Sequence, residues 1–207
     1  MNQNQDYLKD ISEIRDMMER SSRFISLSGL SGVFAGVYAL AGAGLAHILI
    51  KGNVADWGFG FLLSISNDLK SLLLIDASAV LLLAVSTGIF FTTRKARSAG
   101  LKTWDSTSRR LIINLLIPLA AGGIFSLILL NQGMIHIVVS STLLFYGLSL
   151  VNASKYTFRD IRYLGLMEIV LGLVAATMDG YGLLFWSIGF GWLHIIYGAW
   201  MYFKYER

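Results

Sequence analysis

The chain has 207 residues, of which 55% are hydrophobic and only 14% charged, and it contains no cysteine. That leaves too little polar surface to cover a soluble globule of this size, so a membrane bundle is the expected class, with disulfides, thiol catalysis and cysteine metal sites excluded. The formal net charge of +4 comes from basic residues gathered in particular loops, which signals membrane topology and gives no reason to expect nucleic-acid binding.

Residues 1–23 are polar and charged, without the short apolar core of a cleavable signal peptide, so the first span is expected to direct insertion. Within them Leu8, Ile11, Ile14 and Met18 recur at helical spacing among charged side chains, which predicts an amphipathic helix on the cytoplasmic side. Arg20 and Arg23 sit at its end, where anionic headgroups are within reach. The same helix is the natural contact for a cytoplasmic protein partner.

Residues 24–207 read as one domain of six transmembrane helices, an all-α bundle. Hydropathy and the need for about 20 apolar residues per crossing place the spans at 24–50, 71–93, 111–130, 134–153, 162–178 and 181–203. The fifth is short. Lys51 to Lys70 is expected to rest at the interface without adding a crossing. With the amino terminus in the cytoplasm, fifteen Lys and Arg residues fall inside and only Lys51 and Lys70 outside. This is the positive-inside pattern of an inner (plasma) membrane protein of bacterial type with both termini cytoplasmic.

In the first span, Ser28, Gly32 and Gly36 continue into Ala39, Ala43 and Ala46 as one small-residue face suited to close helix packing. The contact is expected within the chain, with a homo-oligomer as the other use of that face. Pro118, the only proline, is expected to kink the third span. The turns Asn131-Gln132-Gly133 and Asp179-Gly180 open two similar hairpins, each with a later Tyr-Gly pair, at Tyr146-Gly147 and Tyr197-Gly198. A duplication would arrange the spans as three hairpins in parallel.

In the last span Ser187, Gly191, His194 and Gly198 fall within roughly 60° of one another on a helix. Phe185, Trp192, Ile196, Trp200 and Phe203 occupy the opposite face, which suits lipid.

Ionisable groups at such depth need pairing, neutralisation or water, which singles out Asp76, Asn114, His136, Glu168 and His194 as a candidate polar core. Glu168 shares a face with Gly165 and Gly172, and His136 with Gly133, Ser140 and Gly147. Both are expected to point inward, and Glu168 is expected to meet His194 across the Asp179-Gly180 turn. Asp76 and His136 fall at the outer level, near Asp179; Asn114, Asn152 and Glu168 fall at the inner.

No metal or cofactor is expected: His-xxx-His and His-Glu-xx-His spacings are absent, and His47, His136 and His194 lie at different depths. Neither a Gly-x-Ser-x-Gly elbow nor a phosphate-cradling glycine motif occurs. The expected function is a non-enzymatic, membrane-embedded partner or regulatory subunit. The alternative is a small transporter or channel for a proton, ion or small solute working through buried Asp, Glu and His. An intramembrane metal-dependent hydrolase is the third reading. Whether the polar core faces a cavity or dry helix contacts separates the first two.

Overall fold

A computed structural model of the chain describes residues 27–53, 67–100 and 103–207. The amphipathic helix expected over 1–23 and most of the segment between Lys51 and Lys70 lie outside the described residues. What is described is helical throughout, with no strand, as hydrocarbon demands of a chain whose backbone groups must be satisfied internally.

The helices are α1 (Gly29–Asn53), α2 (Asn67–Ser98), α3 (Ser106–Asn131), α4 (Ile135–Ala153) and α5 (Asp160–Ala175). The chain ends in α6 (Gly182–Trp186), a π-helical segment (Ser187–Leu193) and α7 (His194–Tyr205), which run on as one rod. Five stretches are long and apolar enough to cross a membrane: Gly29–Lys51, Asn67–Ser98, Ser106–Asn131, Ile135–Tyr156 and Gly182–Tyr205. Helix α5 has 16 residues, which at 1.5 Å per residue gives about 24 Å, short of the roughly 30 Å of hydrocarbon.

Local chemistry explains the boundaries. Helix α2 outruns the expected span at both ends. Arg94, Lys95 and Arg97 extend it, because long straight side chains keep helical propensity and cations suit the last turn. It stops before Gly100, which has a φ of +67°. Asp105 caps α3: its carboxylate accepts from the Ser108 amide at 2.7 Å, while the Ser108 hydroxyl oxygen accepts from the Asp105 amide at 2.8 Å. The tight turns use Gly133 and Gly180 at φ of +78° and +87°, conformations that disfavour any side chain. Pro118 lies inside α3, and the helix continues through it.

Helix α4 lies between α3 and α5, while α1 packs on one side against α2 and on the other against the π segment and α7. Glycine governs both tight crossings. A Cβ placed on Gly147 would meet the Gly165 carbonyl oxygen at 2.5 Å, and one on Gly165 would meet the Gly147 oxygen at 2.7 Å. Along α1, a Cβ on Gly32 would lie 3.1 Å from the Gly198 Cα, and one on Gly36 would lie 2.6 Å from the Gly191 oxygen. The small-residue face of α1 therefore meets the last span of the same chain. Ser28, buried at its head, donates to Glu206 at 3.2 Å.

Glu206 also accepts from the Gly29 amide and pairs with Lys95 at 3.3 Å, and Lys95 donates to the Leu27 carbonyl at 2.8 Å. A carboxylate at a helix N-terminus satisfies an amide left without an intrahelical partner. The end of the chain thereby ties α1, α2 and α7 together at one face of the bundle.

Candidate functional site

The last span departs from a plain α-helix over Ser187–Leu193, where it widens into a π segment. Each residue inserted into a turn rotates the faces that follow by about 100°, and the two ends of the span are out of step accordingly. Gly189, Gly191, His194 and Gly198 are buried, whereas Ser187 is half-buried and donates to the Leu183 carbonyl at 2.7 Å. Trp192, Ile196, Trp200 and Phe203 are exposed, as expected of the lipid face, but Phe185 is half-buried. The single small-residue face expected from Ser187 to Gly198 therefore breaks at the π segment. Such segments are frequent at functional sites.

His194 sits where the segment ends. Its Nδ1 lies 2.9 Å from the Gly189 carbonyl oxygen, five residues back, and its Nε2 lies 2.8 Å from the Tyr146 hydroxyl on α4. A carbonyl can only accept, so Nδ1 carries the proton and Nε2 accepts from the Tyr146 O–H. Glu168 completes the group from α5, with Oε1 at 3.5 Å from Nδ1.

The Glu168 side chain is fully buried, and neither oxygen has a hydrogen-bond partner within normal distance. A Cβ on Gly189 would come within 2.5 Å of Glu168 Oε2 and of Leu143, so the carboxyl fits against the glycine backbone of the π segment. The Ser140 hydroxyl oxygen, on α4, is likewise buried without a partner. Chemically, the arrangement is a short relay of phenol, imidazole and carboxyl, joined at one nitrogen and close at the other. Glu168 and His194 are buried between helices.

The second group is separate. Asp76 and His136 line a cleft of about 380 Å³ formed by the ends of α1, α2, α4 and α6, together with Lys70, Asp179 and Trp186. His136 corrects the sequence reading: Ser140, Gly147 and Ser154 on its helical face are buried, but His136 itself is exposed. It occupies the first turn of α4 and borders the cleft. Asp76 is half-buried.

Asn114 belongs to neither group. It donates to the Arg110 carbonyl at 2.8 Å, and Asn152 donates to its backbone and side-chain oxygens at 2.9 and 3.2 Å. These bonds tie α3 to α4. Ser126 and Ser141 bond at 2.8 Å between the same helices. The five polar residues singled out by depth thus separate into a buried pair, two members of a cleft wall and a helix tie. Among the described residues, no three His, Asp or Glu side chains are grouped so as to hold a metal ion.

Tyr146 was legible only as half of a repeated Tyr-Gly pair, and its second copy behaves differently. The Tyr197 hydroxyl donates to the Asp160 carbonyl, away from any histidine. Gly189 carried no signal beyond residue type, and Lys70 was legible only as one of the two basic residues expected outside. Comparison with known protein families, with curated proteins and with solved structures finds no match to this chain.

Proposed function

We propose that this protein is a non-enzymatic partner subunit embedded in an inner membrane of bacterial type. It crosses the membrane six times, with both termini cytoplasmic and a second transmembrane protein lying along α2. The observation that carries this reading is the isolation of α2. It has 32 residues, yet packs substantially only against α1 and buries just Leu69 and Ala96, one near each end. Between them Leu82 and Ile89 are 67% and 60% exposed. Helix α3 also packs mainly against one other helix, α4, but it buries six residues spread from Thr107 to Leu129. Without a hydrophobic drive in lipid, helices associate through close packing and polar contacts, and small or polar positions on α2 such as Ala84, Ser86 and Gly88 leave room for a further helix.

The sixth crossing is α5. It is short, but Thr177 and Met178 continue it in turns to Gly180, and a local thinning of the bilayer accommodates the remainder. The cytoplasmic assignment of the ends rests on the basic residues, supported by the meeting of Lys95 and Glu206 and of Lys204 and Asp160.

The test is photo-crosslinking in cells from residues 82 and 89, with 196 and 200 on the lipid-facing side of the last span as controls. A discrete adduct of a different protein at the α2 positions alone is expected. Adducts containing only a second, differently tagged copy of this chain, or no adduct at α2, overturn the reading.

A further inference from the structure

We propose that the cleft between α2 and the outer ends of α4 and α6 is a binding site for a compact lipophilic cation, whose charge is held by Asp76. The inference requires neither a partner subunit nor a transport cycle. It rests on the cleft alone.

The cleft has the size and lining of a small-molecule site. Its volume is about 380 Å³, within the roughly 300–1,000 Å³ usual for ligand pockets. Ile50, Leu73, Leu74, Leu183 and Trp186 make most of the wall apolar, with few polar groups among them. An apolar wall suits a hydrocarbon body, and an indole such as that of Trp186 in the wall is a side chain that attracts a cation.

Charge selects the ligand. Four titratable groups face the cleft: Asp76, Asp179, Lys70 and His136. Lys70 lies in the first turn of α2 and Asp179 in the turn before Gly180, both at the mouth of the cleft, so one ammonium and one carboxylate stand at the same level. Asp76 lies nine residues into α2, about 13 Å from its start at 1.5 Å per residue. No described residue donates a hydrogen bond to it or forms an ion pair with it. A carboxylate at membrane depth pairs with a counter-charge or lines a hydrated cavity. Asp76 is therefore the uncompensated group at the inner part of an apolar cleft, and its complement is a positive charge carried on an apolar body. The Lys70 ammonium would by itself favour an anion, but the Asp179 carboxylate at its level offsets it and leaves the selection to Asp76.

The test uses the full chain in lipid nanodiscs, with tetraphenylphosphonium as the probe and tetraphenylborate as its counterpart of matched shape and opposite charge. Equilibrium dialysis is expected to show saturable phosphonium binding above protein-free nanodiscs, with no competition by the borate. Asp76→Asn is expected to weaken binding at least tenfold, whereas Asp68→Asn, on the same helix but outside the cleft lining, leaves it unchanged.

Absence of saturable binding, equal competition by tetraphenylborate or a loss of less than tenfold in Asp76→Asn overturns the proposal. Should Asp76→Asn elute as an aggregate, Ala77→Phe decides: it keeps the carboxylate and fills the cleft from an exposed position. Loss of binding in that variant supports the site, and retention overturns it.

Discussion

His194 divides its two ring nitrogens between two helices, offering Nε2 to the Tyr146 hydroxyl on α4 at 2.8 Å and turning Nδ1 toward Glu168 on α5 at 3.5 Å. One imidazole thus joins the last span to both helices of the preceding hairpin. Removing either neighbour leaves a buried polar group alone.

Glu168→Gln and His194→Gln are therefore each expected to lower the stability of the detergent-solubilised protein by roughly 1–3 kcal/mol, the usual range for orphaning a buried polar group. The double variant should lose less than the sum, because the second substitution removes a group that the first has already stranded. Chemical unfolding of the four proteins measures this, and strictly additive losses would falsify the coupling.

Tyr146→Phe tests the other nitrogen. It removes the donor to Nε2 while keeping the ring packed against Phe190 and His194. A loss of about 0.6 kcal/mol, typical of polar contacts between membrane helices, is expected in wild type and none in the His194→Gln background. An equal loss in both backgrounds would show that the hydroxyl acts elsewhere.

The glycines make opposite predictions according to what stands in front of them. At Gly147 and Gly198 a Cβ would press on the backbone oxygens of Gly165 and Gly29, at 2.5 and 2.6 Å, which cannot yield without separating the helices. Gly147→Ala and Gly198→Ala should cost about 1–3 kcal/mol by overpacking. At Gly44 nothing lies within 4 Å, so Gly44→Ala should stabilise by up to about 1 kcal/mol through helix propensity. Thermal unfolding in one detergent ranks the three, and a destabilised Gly44→Ala would contradict the packing described.

Truncation after Tyr205 removes the carboxylate that receives the Gly29 amide and the Ser28 hydroxyl and leaves Lys95 with the Leu27 carbonyl and the face of Phe158. Faster hydrogen exchange is expected in the first turn of α1, with the α4–α5 crossing unchanged. Uniform acceleration throughout the bundle would mean that Glu206 supports more than this corner.

Asp105 supplies the pH dependence at the start of α3. The hydrogen bond from the Ser108 amide holds its carboxyl below the ordinary value of 3.8. A carboxylate with a lowered folded-state value contributes stability above its unfolded value, and that contribution fades as pH falls through the folded one. Asp105→Ala should therefore cost about 1 kcal/mol at neutral pH, with a gap that persists to about pH 5 and closes below pH 4. A gap that widens on acidification would reverse the assignment.

How much could be read before folding depends on whether the cause is local. Five of the expected span positions, the two glycine turns and the small face of α1 follow from hydropathy and steric rules over a few neighbouring residues. They stand within a few positions of where periodicity places them. The proximity of Glu168 and His194 was also legible, because a tight turn between antiparallel helices fixes their relative depth. Helix ends were read less well. Hydropathy sees where apolar residues stop, whereas α2 and α3 continue through charged or capped turns.

What only the tertiary structure decided is which face meets which neighbour. The π segment takes the last span out of a single period, and nothing local to Ser187–Leu193 marks it. It depends on Gly189 fitting against Glu168 and Gly191 against α1. His136 carries the right face but opens onto the cleft, and it stays exposed. The isolation of α2 has no trace in its own residues, since a lipid-facing helix and one awaiting a neighbour need the same apolar surface. Local sequence determines where helices form, because each closes its own hydrogen bonds. Their partners are chosen by fit between distant surfaces, and only the folded bundle brings those together.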